Sequence, residues 1–415
     1  MRRPKVLPRI GRTRLLLFLA ILGPGLITAS ADNDAGGIAT YSVAGARFGY
    51  GMLWALVLIV ICLAVTQEMG ARMGIVTGQG LSALIRERFR IRMTMFAMAV
   101  MLIANLATTI SEFSGIAASF QLFGISKYLS VPLAAVFIWL LVVRGSYKVA
   151  ERVFLVFSAF YLTYIVSGVM AKPDWGEVLQ STASPVFEFN SGYLLLLIAL
   201  VGTTVTPWGQ FFIQAYVVDK GISVRHFRYT RLEIVIGAVV TVVVAMFIII
   251  ACAATIHVAG GDVETADEAA AALGPLAGRF ASSLFAFGLL NASVLAAAIL
   301  PLATAYAICG AFGFEAGVNR SFREAPIFHG IFTSSIAVGV LVSLIPGLPL
   351  LKVMVLTQDV NGILLPIILI FVMVIINDRR IMGDYANNRL QNLVAGLTTA
   401  ALILLSLMLV GTSLF

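Results

Sequence analysis

Long apolar runs separated by short charged loops dominate the chain. Eleven of them read as membrane-crossing helices, at approximately 15–44, 51–69, 94–120, 129–143, 153–170, 192–218, 233–257, 280–311, 327–346, 350–376 and 391–412. A helix needs ~20 apolar residues to cross a hydrocarbon layer ~30 Å thick. The longest connections on the acid-rich side, 171–191 and 258–279, are too short for an independent soluble core. The pattern therefore predicts an all-α polytopic membrane protein. Composition agrees: 60% of residues are hydrophobic and 12% charged, with a mean hydropathy of +1.00, whereas soluble domains carry about 25% charged residues.

Charge orients the spans. If the N-terminus is cytoplasmic, 23 of the 28 lysines and arginines fall on the cytoplasmic side. The opposite loops carry Asp174, Glu177 and Glu188, then Asp262, Glu264, Asp267 and Glu268. By the positive-inside rule the N-terminus faces the cytoplasm and the C-terminus the outside of the plasma (inner) membrane. Residues 1–14 read as a retained cytoplasmic tail, without a small-residue cleavage site. The net charge of +8 is explained by this bias, so nucleic acid is not an expected partner. Cys62, Cys252 and Cys309 lie in apolar stretches and form neither a disulfide framework nor a zinc pattern.

Two spans are interrupted by polar residues. The first contains Asp32, Asn33 and Asp34, with Gly36 and Gly37 beside them. A carboxylate at mid-membrane costs roughly 2.5–3.5 kcal/mol on insertion scales, so it is normally kept where it meets a partner or water. Glycines there allow unwinding, which frees carbonyl oxygens for a cation; the bland alternative is a short loop between two half-spans. The sixth span carries Gly202-Thr203-Thr204-Val205-Thr206-Pro207-Trp208-Gly209-Gln210. Pro207 cannot donate to the helix ladder, which would release the carbonyls of Gly202 and Thr203; Thr203, Thr204, Thr206 and Gln210 add neutral oxygens. A simple proline kink, with hydroxyls bonding their own backbone, is the competing reading. Breaks five spans apart point to a five-plus-five inverted repeat with the ion site between the halves. The halves would be 15–170 and 192–376, with 391–412 an eleventh helix outside them.

Oxygen-only ligands suit hard cations such as Mg²⁺, Ca²⁺ and Mn²⁺, and no Met or His stands near either break in the sequence. Glu112 is a further intramembrane acid, set to touch the ion's water shell, relay a proton, or pair within the bundle. Gln358, Asp359 and Asn361 form a polar cluster at the start of span ten, either at the permeation path or in an interfacial loop. His257, beside an acidic loop, reads as a surface residue. The loop expected at Arg72–Gly78 lacks the Lys-Ser/Thr of a phosphate-binding loop.

These residues resemble the Nramp family of divalent-metal transporters. The family's first span reads Asp-Pro-Gly-Asn-x-Ala-Thr with a Phe-Gly-Tyr nine residues on; here Asp34-Ala35-Gly36-Gly37-Ile38-Ala39-Thr40 precedes Phe48-Gly49-Tyr50. Its Arg-Leu-Gly-Ile-Val-Thr-Gly is similar to Arg72–Gly78, its Ser-Asp-Arg-Arg-Leu-Met-Gly to Asn377–Gly383, and its span-ten glutamine to Gln358. The resemblance implies a LeuT-type fold, unwound at helices one and six, with the ion between them. The chain departs from the family at Ala35, Gly37, Thr109 and Thr206-Pro207-Trp208. Those departures remove the site asparagine, an acid proposed for the proton path, the metal-selecting thioether and the histidine tied to proton movement. They resemble the divergent Nramp-related magnesium transporter branch, which moves Mg²⁺ as well as Mn²⁺ without evident proton coupling.

The expectation is thus a monomeric secondary transporter of Mg²⁺ and Mn²⁺ in the lipid bilayer, working by alternating access, with no permanently bound cofactor. The metal residues would be Asp34, Asp32, Asn33, Gly202, Thr203, Thr206, Gln210 and Glu112. A proton-coupled Mn²⁺/Fe²⁺ importer is the main rival; a sodium-coupled amino-acid carrier and a non-transporting metal sensor are weaker ones. No triad, nucleotide loop or haem pattern points to an enzyme.

Overall fold

The structure is a computed structural model that describes residues 33–143, 160–317 and 320–414. The described residues form helices and no strand. In chain order the main helices are α1 (Ala35–Phe48), α2 (Leu53–Thr77), α3 (Leu81–Arg88), α4 (Ile91–Leu122), α5 (Lys127–Val143), α6 (Tyr161–Met170), α7 (Trp175–Ala183), α8 (Ser191–Thr204), α9 (Pro207–Asp219), α10 (Phe227–Cys252), α11 (Ala281–Phe312), α12 (Pro326–Ser343), α13 (Leu350–Ile376) and α14 (Arg389–Leu414). Nine of the eleven predicted spans meet helix to within several residues. Of the first and fifth, residues 15–32 and 153–159 lie outside the described residues, and the rest is α1 and α6. Among the described residues, eight helical stretches are long and apolar enough to cross a membrane, with α8 and α9 together forming one of them.

The core is built on α4 and α11, the third and eighth spans, which have the same length of 32 residues and pack along one another. At 1.5 Å per residue each is about 48 Å long, so it crosses the hydrocarbon layer with length to spare for tilt. Hydrogen bonds lock this centre where lipid-like surroundings make apolar association weak. Asn105 of α4 donates to the Thr304 hydroxyl of α11 at 2.7 Å, and Asn361 of α13 donates to the Thr108 hydroxyl of α4 at 2.8 Å. α1 lies against α10, α8 and α13. On α14, Leu390, Leu393, Leu397, Leu404 and Leu407 are each more than half exposed. Their spacing puts them on one helical face, a stripe suited to lipid.

The loop expected around Arg72–Gly78 is instead the last turns of α2, closed by Gly78 in a left-handed conformation. Arg72 is buried there because Glu68, one turn earlier, pairs with it at 3.1 Å. Glu68 also binds Arg231 of α10 at 2.9 Å. Arg72 donates further to the Tyr385 carbonyl at 2.9 Å, to Asn387 and to Gln391 at 3.4 Å. This latch ties α2, α10 and the segment before α14 together at the arginine-rich end. At the acid-rich end Arg47 pairs with Asp262 at 2.9 Å, and that guanidinium holds the Asp262 carboxyl below its ordinary range.

Candidate metal site at the helix breaks

Just before α1 the described chain is not helical. Asn33 and Asp34 are non-helical, and Asp34 has an extended backbone (φ −73°, ψ −173°) as the N-cap of α1. Its Oδ1 accepts the Gly37 amide at 2.8 Å, satisfying one of the amides a helix start leaves open. Gly36 and Gly37, expected to unwind, are instead helical and fully enclosed. Gly36 serves close approach: a Cβ there would collide with the Gln358 amide of α13 and approach Ser111 Oγ of α4. Asp32 lies outside the described residues.

Packing at Gly36 brings α1 against α4, and Glu112 meets the start of α1. Glu112 Oε2 accepts the Ala35 amide at 3.4 Å, and the Asp34 and Glu112 carboxyl groups adjoin each other. Both residues are essentially sealed, at 1% and 0% exposure. Apart from one another, Asp34 Oδ2 and Glu112 Oε1 have no hydrogen-bond partner among the described residues. Among those residues no arginine, lysine or histidine forms an ion pair with either acid. Two like charges side by side in a low-dielectric interior need a compensating charge or a shared proton. Tyr161 of α6 closes the rim, donating to the Asn33 carbonyl at 2.5 Å.

The second break falls at Val205–Thr206. α8 ends at Thr204, where the Val205 amide bonds the Val201 carbonyl at 2.7 Å. Thr206 is extended and caps α9 through its hydroxyl, which accepts the Gly209 amide at 3.2 Å. With Thr206 extended and Pro207 lacking an N–H, the Gly202 and Thr203 carbonyls stand beyond the last closed rung. The carbonyl end of a helix is its negative pole, so α8 presents an end suited to a cation. Tyr41 of α1 reaches the Thr204 hydroxyl at 2.8 Å, which holds the two broken segments together.

The expected set divides on this geometry. Asp34, Asn33 and Glu112 share one locus; Thr203 has a buried hydroxyl without a partner among the described residues; Thr206 is engaged as a cap. Gly202 packs on the Gln358 carbonyl and Gly362 of α13. Gln210 is buried on α9 near Gly70 of α2. The Gln358–Asn361 cluster is not at the opening of span ten: α13 begins at Leu350, so the cluster lies two turns inside and is buried. Asn361 also donates to Gln358 Oε1 at 2.9 Å. Trp208 is buried against Leu295, Ile299 and Leu300 of α11. The described histidines lie elsewhere, with His257 on the Ala46 carbonyl at 2.8 Å, His226 on Ser223 and His329 on the Arg320 carbonyl. Tyr41, Ser111 and Tyr161 were not singled out from sequence, although a hydroxyl within an apolar span signals a sought partner.

A family profile described as Natural resistance-associated macrophage protein-like, Nramp, matches residues 25–412. The chain belongs to the Nramp family. Among curated relatives it is similar to the divalent metal cation transporter MntH of Aeromonas hydrophila, 29% identical over 399 residues, covering 93% of this chain and 94% of that one. It is also similar to MntH of Verminephrobacter eiseniae, 26% identical, covering 95% and 89%. Among solved structures it resembles the Eremococcus coleocola manganese transporter, with a TM-score of 0.78 at 22% identity, covering 96% of this chain and 87% of that one. A more distant likeness, TM-score 0.57 at 14% identity with 95% and 90% coverage, is to Mhp1, a nucleobase-cation-symport-1 family transporter. The fold of this Nramp chain is accordingly the LeuT type, all-α with a five-plus-five repeat broken at helices one and six.

Proposed function

We propose that this Nramp chain is a secondary transporter that moves Mn²⁺ and Mg²⁺ across the plasma membrane by alternating access, as a monomer, without proton coupling. The observation that carries the reading is the sealed Asp34–Glu112 pair, in which one oxygen of each carboxyl has no hydrogen-bond partner other than the neighbouring acid and no cationic side chain is paired to either among the described residues. A dication supplies the missing charge, and the Gly202 and Thr203 carbonyls and Thr203 hydroxyl add the neutral oxygens that hard cations accept. Asp34 is the principal charged ligand; Glu112 and Asp32 set the field around a partly hydrated ion. Asn33, Thr206 and Gln210 contribute oxygens in the conformations that carry the ion inward. The repeats 15–170 and 192–376 rock against each other, with helix 391–412 outside them, the tail 1–14 cytoplasmic and the C-terminus outside. The relatives' names as divalent metal cation and manganese transporters support the cation class.

Proteoliposome uptake tests this. Mn²⁺ and Mg²⁺ enter with the wild-type chain and fail to enter with Asp34→Asn; normal uptake by that variant overturns the assignment. The adjoining carboxyls favour one second reading, in which they share a proton and make the chain a proton-coupled Mn²⁺/Fe²⁺ importer. Acidification of the vesicle lumen during Mn²⁺ uptake selects that reading, and its absence selects the uncoupled one.

A further inference from the structure

At the acid-rich end a cavity of about 840 Å³ descends between α1, α4, α8, α13 and the 263–267 segment. Glu264, Asp267, Arg47 and Lys352 stand among its lining residues. Arg47 is neutralised by Asp262 at 2.9 Å. Seven residues beyond Lys352 on the same helix, Asp359 also lines the cavity, with only 6% of its surface exposed. Its Oδ1 has no hydrogen-bond partner among the described residues, and no ion pair there includes it. A buried carboxylate with an unmatched oxygen at the wall of a roomy cavity carries a solvation cost that a cation would relieve. One residue earlier on α13, Gln358 touches Gly36 of α1. The same turn thus forms the cavity wall on one side and adjoins the central acids on the other.

We propose that Asp359 is a second cation site, a capture station that takes a hydrated divalent cation from the cavity before it reaches Asp34 and Glu112. Six waters at ~30 Å³ each occupy ~180 Å³, so a fully hydrated dication fits the cavity. One carboxylate without a surrounding cage binds such an ion loosely, which suits hand-over rather than storage. The proposal rests on the divalent-cation reading of the central pair, and its test separates the two.

Mn²⁺ binding to the purified full chain is read by loss of the free-ion EPR signal. In Asp34→Asn, one weak Mn²⁺ site remains, and adding Asp359→Asn removes it. A residual site that persists in the double variant, or no residual site in Asp34→Asn, overturns the proposal. In proteoliposomes, Asp359→Asn raises KM for Mn²⁺ by at least ~3-fold, more than it lowers kcat, and 0.5 M salt shrinks the rise because the attraction is electrostatic. An unchanged KM, or a collapse of kcat like that of Asp34→Asn, overturns it. Asp359→Glu restores KM; if it behaves as the asparagine variant, packing is the cause and the capture station is wrong. If the wild type takes up no Mn²⁺, the transport reading fails while the binding measurement still decides on Asp359.

Discussion

Glu68→Gln tests whether the buried latch at the arginine-rich end sets the conformational balance. The cavity opens at the acid-rich end, while Glu68 joins α2 to itself through Arg72 and to α10 through Arg231 at the other. Opening that other end requires separating these groups, so the latch stabilises the present state alone. The Glu68 and Arg72 side chains are 7% and 5% exposed, and Arg231 is 52% exposed. Removing one partner of a fully buried ion pair costs about 3–5 kcal/mol. Here Arg72 keeps the Tyr385 carbonyl and the Asn387 and Gln391 side chains, and the glutamine keeps one neutral hydrogen bond, so ~2 kcal/mol is the working figure. That lowers the ratio of the present state to its opposite by ~30-fold. Arg231→Gln, at a half-exposed position, shifts it by ~2-fold. The assay is maleimide labelling of Val355→Cys, a cavity-lining position, with Cys62, Cys252 and Cys309 replaced by alanine. Labelling slows steeply in Glu68→Gln and slightly in Arg231→Gln. A drop in melting temperature without slower labelling, or equal effects of the two variants, refutes the latch.

Three further outcomes follow from the packing, the second break and the surface charge. In Gly202→Ala the new Cβ would collide with the Gln358 carbonyl and Gly362 backbone. Neither can move aside as a flexible side chain would, so stability falls by about 1–3 kcal/mol and Tm drops, whereas Gly330→Ala, which meets open space inside α12, raises Tm slightly through helix propensity. Thr206→Met loses the α9 cap, at about 1 kcal/mol, and adds a thioether at the break; competitive uptake then shifts toward Mn²⁺ over Mg²⁺. The Asp262 carboxyl sits below its ordinary range because Arg47 bonds it, so the contribution of the pair is full above the unfolded pKa of about 3.9. It fades as pH falls through the depressed folded value. The pair is half exposed and worth about 0.5 kcal/mol, so Asp262→Asn lowers Tm slightly at pH 7 and not at the acid end of a pH series.

Helix existence was legible because each span had to be apolar along its length, and the second break because Pro207 forbids one rung of the ladder whatever surrounds it. What depended on neighbours was not legible. Arg72 looked like a loop residue, since an arginine inside hydrocarbon is expensive; Glu68 four residues earlier makes the position tolerable, and about two extra helical turns follow. The Gln358–Asn361 run looked like the start of a span because polar residues usually mark one. Leu350–Val355 in front of it is short for a span by itself, yet as two turns of a longer helix it carries the polar run into the bundle. The first glycine pair was read by its backbone freedom, whereas the structure uses Gly36 for its missing side chain. That difference decides the chemistry. A flexible glycine would loosen Asp34, but an enclosed one draws α1 onto α4 and α13, sets Glu112 on the Ala35 amide across 77 positions of sequence, and leaves two acids facing each other. The charge that the site must bind is therefore created by close packing as much as by the acids themselves, and a bulkier residue at position 36 would separate the pair without touching either carboxylate.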